Sequence, residues 1–175
     1  MADLTFNTPA GAAAARKLFL LYMNTGTEEL PVWSVIGKRV EDSSVEFDWG
    51  EETGKDILGN VHTMLGEPTM KQSFDPCQID SSDKAQEKIW NMAVKDHDTG
   101  ALQACDLLLV HAYAGTADTA VFAERYPEST VLPTGLGGSS YVGMPIDVTF
   151  GGARDTGTAA IAEGVVTFTS DKAKG

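Results

Sequence analysis

Between residues 141 and 150 the chain changes side-chain character at every step. Val142, Met144, Ile146, Val148 and Phe150 fall on one side, and Tyr141, Gly143, Asp147 and Thr149 on the other. Successive strand side chains point to opposite faces, so this run predicts a β-strand with one buried and one wetted face. Gly151 and Gly152 end it, and a second β-prone run, residues 164–169, follows a loop rich in Gly, Thr and Ala. The chain is therefore expected to finish in a long-looped β-hairpin. Nothing resembling a catalytic set is built on that framework, which directs the search for function to surfaces and assembly.

The rest of the chain reads in the same way. Residues 18–23 form a continuous apolar run, a buried strand closed by the turn-like Asn24-Thr25-Gly26-Thr27. Residues 31–36 are a second short strand. Residues 44–49 alternate again, with Val45, Phe47 and Trp49 opposite Ser44, Glu46 and Asp48. Residues 50–60 read as a loop, because Gly54 and Gly59 bracket polar residues with only Ile57 and Leu58 to anchor them. A strand pair is expected at 61–65 and 69–74, turned by Gly66-Glu67-Pro68. One helix is predicted from about 82 to 97: Asp80, Ser81 or Ser82 caps it, Ala85, Ile89, Met92 and Ala93 recur at helical spacing, and Gly100 stops it. Lys84, Glu87, Lys88 and Lys95 then face water. Residues 107–113 and 119–126 are β-like around a turn at 115–118. The sum is a mainly β fold, an antiparallel β-sandwich or partly closed barrel with one flanking helix, in a single domain over residues 1–175. Residues 1–14, small, polar and Ala-rich, read as a loosely held N-terminal arm.

Composition narrows the function classes. A chain of 175 residues with 42% hydrophobic content buries a real core, and 18 Gly imply many turns. The net charge of -12 disfavours a nucleic-acid grip, which depends on Lys and Arg against phosphates. On its own the charge is read first as solubility; an acidic wall that repels a passing duplex and keeps it from sticking is the other reading it allows. Glu41, Asp42, Glu46, Asp48, Glu51 and Glu52 concentrate it locally. Cys77 and Cys105 are too few for a disulfide scaffold, so free thiols in a reducing compartment are expected. Arg16 and Lys17 interrupt the N-terminal apolar stretch, giving no signal peptide. No apolar run approaches the roughly 20 residues that cross a bilayer, so the expectation is a soluble protein without a membrane partner, made in the cytoplasm.

Short motifs add no chemistry. His62, His97 and His111 lack metal-ligand spacing, and His97 is expected at a helix C-terminus. Cys77 and Cys105 match no thiol-nucleophile signature. Gly135-Leu136-Gly137-Gly138-Ser139-Ser140 is followed by neither Lys nor a helix, so it reads as a glycine-rich turn and not as a phosphate cradle. Glu51 and Glu52 are adjacent acids on a loop. Neither an enzyme nor a cofactor is expected.

Several phrases nevertheless form an ordered set: Leu20-Leu21-Tyr22-Met23-Asn24-Thr25-Gly26-Thr27, Thr53-Gly54-Lys55-Asp56-Ile57-Leu58-Gly59, Ser73-Phe74-Asp75-Pro76, Val110-His111-Ala112-Tyr113-Ala114-Gly115 and Gly137-Gly138-Ser139-Ser140-Tyr141-Val142. In this order the chain resembles the major tail proteins of long-tailed bacteriophages, the subunits of the tail tube. The resemblance implies a β-sandwich or barrel with a flanking helix, forming hexameric rings whose inward hairpins join into one barrel and whose stacking makes a conduit for DNA. It also implies location in the virion tail and, as partners, identical subunits, a tape-measure protein, terminator and baseplate or tail-tip proteins, and DNA in transit. Open sheet edges are liabilities that ring closure removes. The loop at 50–60, with Glu51, Lys55, Asp56, Ile57 and Leu58, is the candidate contact with a neighbouring ring, and the N-terminal arm is the second. Alternatives are the inner tube of a contractile tail or injection machine, and a small β-sandwich module binding carbohydrate or another ligand through Trp33, Trp49 or Tyr141, with Trp49 more readily assigned to the core.

Overall fold

Two runs without a polar interruption, Leu20 to Met23 and Leu107 to Val110, become the centre of the molecule. The structure, a computed structural model, describes residues 3–40 and 42–174. Met1 and Ala2 of the expected arm, Glu41 of the acidic run and Gly175 lie outside the described residues. The strands are β1 (Phe19–Asn24), β2 (Trp33–Ile36), β3 (Val45–Asp48), β4 (Glu52–Lys55), β5 (Val61–Met64), β6 (Thr69–Phe74), β7 (Cys105–Thr116), β8 (Ala120–Pro133), β9 (Ile146–Thr149), β10 (Asp155–Ala162) and β11 (Val165–Ser170). Two short helices, α1 (Lys84–Trp90) and α2 (Thr99–Gln103), lie between β6 and β7.

All pairings are antiparallel. One sheet runs β2-β1-β7-β8-β10-β11, and a four-stranded one runs β3-β6-β9-β8. β8 belongs to both: it pairs with β10 up to Arg125 and with β7 as far as Ser129, with a register shift after Tyr126, and from Thr130 to Pro133 it pairs with β9. Pro127, which has no N–H to give a ladder, sits where the strand changes sheets.

β1 and β7 are continuous apolar runs because both of their faces are covered. Leu21, Met23, Leu107 and Leu109 pack towards the four-stranded sheet and Ile89 of α1. Tyr22, Leu108 and Val110 pack on the other side with Trp33 of β2 and Val166 of β11. Since β2 and β11 are opposite edges of the larger sheet, their sharing one core means that the sheet curls, and the two edges touch without hydrogen-bonding closed. Leu107, Leu108 and Val110 have no exposed surface, and each stabilises the fold by about 2 kcal/mol through burial alone. The fold is thus a mainly β, antiparallel sandwich whose larger sheet is a partly closed barrel.

The expected helix is present with different bounds. Asp83, not residues 80–82, caps α1 by accepting from Gln86 N at 3.0 Å. The helix continues as a π turn through Lys95, and Asp98 caps α2, in which Gly100 is an interior residue and not a stop. Lys88 is half-buried and donates its Nζ to Asn24 O at 2.8 Å instead of facing water.

Three strand assignments change. The alternation from 141 is paired as a strand only over β9, because its neighbour β6 ends at Phe74; Val142 is half-exposed, held by an Ile79 N–H donated to its carbonyl. Residues 50–60 are not a loop: β4 and β5 form a hairpin of their own, so β6 pairs with β3 and not with β5. The terminal hairpin joins β10 to β11, not β9 to the last strand. Its turn, Glu163-Gly164, has positive φ at both positions (51° and 81°), as a two-residue hairpin turn of matching twist requires. β10 is hidden in the sequence because its side chains are small. A Cβ on Gly157 would lie 2.1 Å from Thr169 O and 2.9 Å from the Phe168 ring, so crowding by β11 selects the residues that resemble a loop.

Gly157→Ala is accordingly expected to destabilise the protein by about 2 kcal/mol, read by urea unfolding. Gly135→Ala, where a Cβ meets nothing within 4 Å, should stay within about 0.5 kcal/mol of the parent. Equal stability of the two variants would contradict the β10–β11 pairing.

Candidate assembly surfaces

The β4–β5 hairpin carries the five residues singled out in the sequence. Glu51 precedes β4, Lys55 ends it, and Asp56, Ile57 and Leu58 form the tip. Every residue of β4 and β5 is exposed. Asp56 shapes the turn: its Oδ1 accepts from Leu58 N (2.9 Å) and Asn60 N (2.8 Å), and its Oδ2 from Asn60 Nδ2 (2.9 Å) and faces His62 Nε2 (3.1 Å). The Asn60 side chain, then His62 and the backbone amides, pull its carboxyl down to about 2. With the turn fixed from within, Ile57 is fully exposed and Leu58 is 80% exposed. Such apolar surface on a shaped projection marks a contact site. Composition hid the first arm of the hairpin, since Glu52, Gly54 and Lys55 are poor strand formers individually.

Further apolar exposure continues down the same ribbon. Phe47 (53% exposed) and Trp49 (48%) stack with ring centroids 6.0 Å apart, which corrects the assignment of Trp49 to the core. They border a groove of about 770 Å³ whose floor includes Tyr126 and Phe150. Of the other proposed ligand-platform aromatics, Trp33 is buried and Tyr141 is half-exposed on a separate loop, so the three form no common platform.

The four-stranded sheet has one apolar and one polar face. Register places Glu46, Lys71, Thr149 and Thr130 in one row across it, Ser73, Asp147 and Leu132 in the next, and Asp48 beside Thr69. All lie opposite the core residues Gln72, Val148 and Val131. Among the described residues, β3 has no strand on its outer side, and neither has β8 from Thr130 to Pro133. β2 and β11 likewise end the larger sheet.

One charged cluster is buried. Glu124 of β8, 6% exposed, receives Arg154 Nε at 2.6 Å and lies 3.0 Å from His111 Nε2, while His111 Nδ1 meets Tyr113 Oη at 2.9 Å. Burial pushes the Glu124 carboxyl up, but the hydrogen bonds from His111 and Arg154 outweigh it and hold it below the usual glutamate range. The cluster ties β7 and β8 to the loop between β9 and β10, a structural role. Cys77 and Cys105 are buried free thiols, driven by desolvation up to about 12 and about 11, which suits core residues and not nucleophiles. His62 serves the hairpin turn, and His97 is exposed with a positive φ of 50°. The Gly135–Ser140 segment is a turn bridged to Gly143. No cluster of potential metal ligands occurs among the described residues, and no helix there is long and apolar enough to cross a membrane.

No protein-family profile matches the chain, and no curated protein matches it significantly. Solved structures do resemble it. A sheath/tube terminator chain of an extracellular contractile injection system, PVC, in the extended state is 12% identical, with a TM-score of 0.47 over 85% of this chain and 99% of that one. A chain of the PVC sheath-tube complex is 11% identical, with a TM-score of 0.43 over 92% and 94%. The anti-feeding prophage cap, a tube-terminating cap, is 15% identical, with a TM-score of 0.39 over 94% and 95%. Likenesses this weak carry no argument for function, which rests on the surfaces themselves.

Two outcomes follow from the buried and shaped carboxylates. Both carboxyls have lowered native values, so what they contribute is complete above the unfolded value near 4 and fades as the pH falls. For Asp56 the tip should hold its geometry at pH 5 and lose it towards pH 2, seen as movement of the Leu58 and Asn60 amide resonances; unchanged resonances would refute the turn. Glu124→Ala should cost about 3 kcal/mol by leaving His111 and Arg154 facing an empty site, measured by denaturant unfolding at pH 7. A change below about 0.5 kcal/mol would show that the cluster is dispensable.

Proposed function

We propose that the chain is a structural subunit that closes into rings and stacks into the tube of a phage-type tail. The observation that carries this reading is the four-stranded sheet, with an apolar face buried except at Phe47, a polar face left open and, among the described residues, no strand beyond β3 or beyond the second half of β8. In a ring, β3 of one copy continues the sheet of the next at the free side of β8, so the strands run on as one barrel and the open edges disappear. The polar face, with Glu46, Asp48 and Asp147 against Lys71, then lines the bore. DNA passing through meets mainly carboxylates and hydroxyls, with Lys71 set beside Glu46, so that phosphate is repelled or left unheld.

The resemblance in the sequence supports the same reading and supplies its finer terms: hexameric rings, a tape-measure protein in the lumen during assembly, terminator and baseplate or tail-tip proteins at the ends, and location in the virion tail. Residues 1–14 act as an arm on a single domain; within them Phe6 bridges Ala114 of β7, and Asn7 N donates to Tyr113 O at 2.9 Å. The projecting hairpin, with Glu51, Lys55, Asp56, Ile57 and Leu58, makes the contact between rings. At about 3.3 Å per residue the chain from Trp49 to Ile57 can reach about 25 Å past the sheet.

Replacing residues 50–65 by an Asn-Gly turn should leave folded subunits that form rings but no tubes, as seen by negative-stain microscopy of concentrated protein. Tubes of parental length from this variant would overturn the role of the hairpin. Monomers from the parent chain at high concentration would overturn the reading as a whole.

A further inference from the structure

Antiparallel strand order puts two apolar features at opposite ends of the four-stranded sheet. β3 runs towards the hairpin and β6 returns from it, so the Ile57 and Leu58 tip projects from the end marked by Asp48 and Thr69. β6 leaves and β9 enters at the other end, marked by Phe74 and Ile146. There Ile79 N donates to Val142 O at 2.9 Å, and Ile79, 43% exposed, forms with Trp90 and Gln86 of α1 a slot of about 260 Å³. That is below the usual size of a small-molecule site and suits one or two aliphatic side chains. Gln86 is 5% exposed and spends its Nε2 on Cys77 O at 2.6 Å, while its Oε1 has no hydrogen-bond partner within the subunit.

We infer that the Ile57 and Leu58 tip of one copy seats in the Ile79–Trp90 slot of another. The inference rests on the tube reading above and names the surface that receives the hairpin. Copies carrying -12 each repel, so a contact between them needs apolar surfaces where charge is locally balanced. Both sites meet that condition. At the tip, Lys55 stands beside Asp56; at the slot, Asp80 is paired with Arg39 at 3.0 Å and Glu87 with Lys84 at 2.6 Å. Lys55 takes no part in the ion pairs of the described residues, and on the slot rim it can share Asp80 with Arg39 or Glu87 with Lys84. Position separates this slot from the larger groove beside Phe47 and Trp49. That groove lies at the root of the hairpin itself, where a seated tip would pair two copies face to face and close the assembly. A tip at one end and a socket at the other make a heterologous contact, which repeats without limit along an axis.

The test mixes single-cysteine variants of the full chain, with Cys77 and Cys105 left in the core. Ile57→Cys is combined with Ile79→Cys in one mixture and with Glu67→Cys, beside the Phe47 groove, in the other, and a short bis-maleimide is added under conditions that give stacks by microscopy. Seating holds the pair at millimolar effective concentration, so the Ile57→Cys and Ile79→Cys mixture should cross-link on the order of 100-fold faster than the Glu67→Cys mixture. Stacks that form with equal rates in the two mixtures, or with faster coupling to position 67, would overturn the socket and leave the tube reading standing. Absence of any stacks from parent and variants would overturn both.

Discussion

The arrangement of this molecule depends on one strand belonging to two sheets. β8 gives its first half to the curled sheet and its second half to the four-stranded one, and the change spans Tyr126 to Ser129, where Pro127 has no ladder donor and the pairing with β7 shifts register. Just beyond, Ser129 Oγ donates to Tyr126 O and accepts from Gly151 N at 3.2 Å, so the crossover from β9 to β10 is fastened to the same corner. Glu124, on the first half of β8, holds Arg154 of that crossover from the other side. The angle between the sheets, the covering of both faces of β1 and β7, and the exposure of the polar face of the smaller sheet all follow from this corner.

A sheet shared in this way leaves a surplus of edges. A curled sheet that stops short of closure and a four-stranded sheet whose outer edges are unpaired among the described residues are poor ends for a solitary molecule, because unpaired N–H and C=O groups invite pairing. The side chains do not blunt these edges with a run of lysines or a proline in β3. They instead combine a polar face with a projecting apolar ribbon, Phe47 and Trp49 at its root and Ile57 and Leu58 at its tip. In a repeating assembly each of these features finds a use: edges pair around the ring, the polar face meets the bore, and the ribbon reaches along the axis.

Much of this was legible in the sequence, for physical reasons that can be named. β1 and the centre of β7 announce themselves as unbroken apolar runs because both faces are buried, and β3, β6 and β9 because one face is. α1 was visible from Ala85 and Ile89, though its cap at Asp83 lay past the three candidates and a π turn extended it. β10 was invisible since Gly157 and its small neighbours answer to crowding by Phe168 and Thr169, contacts distant from any local pattern. Alternation continued through Val142 although its ladder partner had stopped, which no periodicity can report. Among the surface residues, Ile57 and Leu58 stood out as apolar side chains in polar company. The work of Asp56 as the organiser of their turn, the exposure of Trp49 and the Ile79–Trp90 slot depend on contacts and packing that no local pattern carries.

The central claim is that copies of this chain complete one another's four-stranded sheets around a hole. A cryo-EM reconstruction of the concentrated protein, traced at the level of strand pairing, tests it most directly. The expected map shows β3 hydrogen-bonded to β8 of the adjacent copy, with Glu46, Asp48 and Asp147 facing an open bore. A map in which copies meet through other surfaces, leaving β3 unpaired and that polar face turned to the outside, would contradict it.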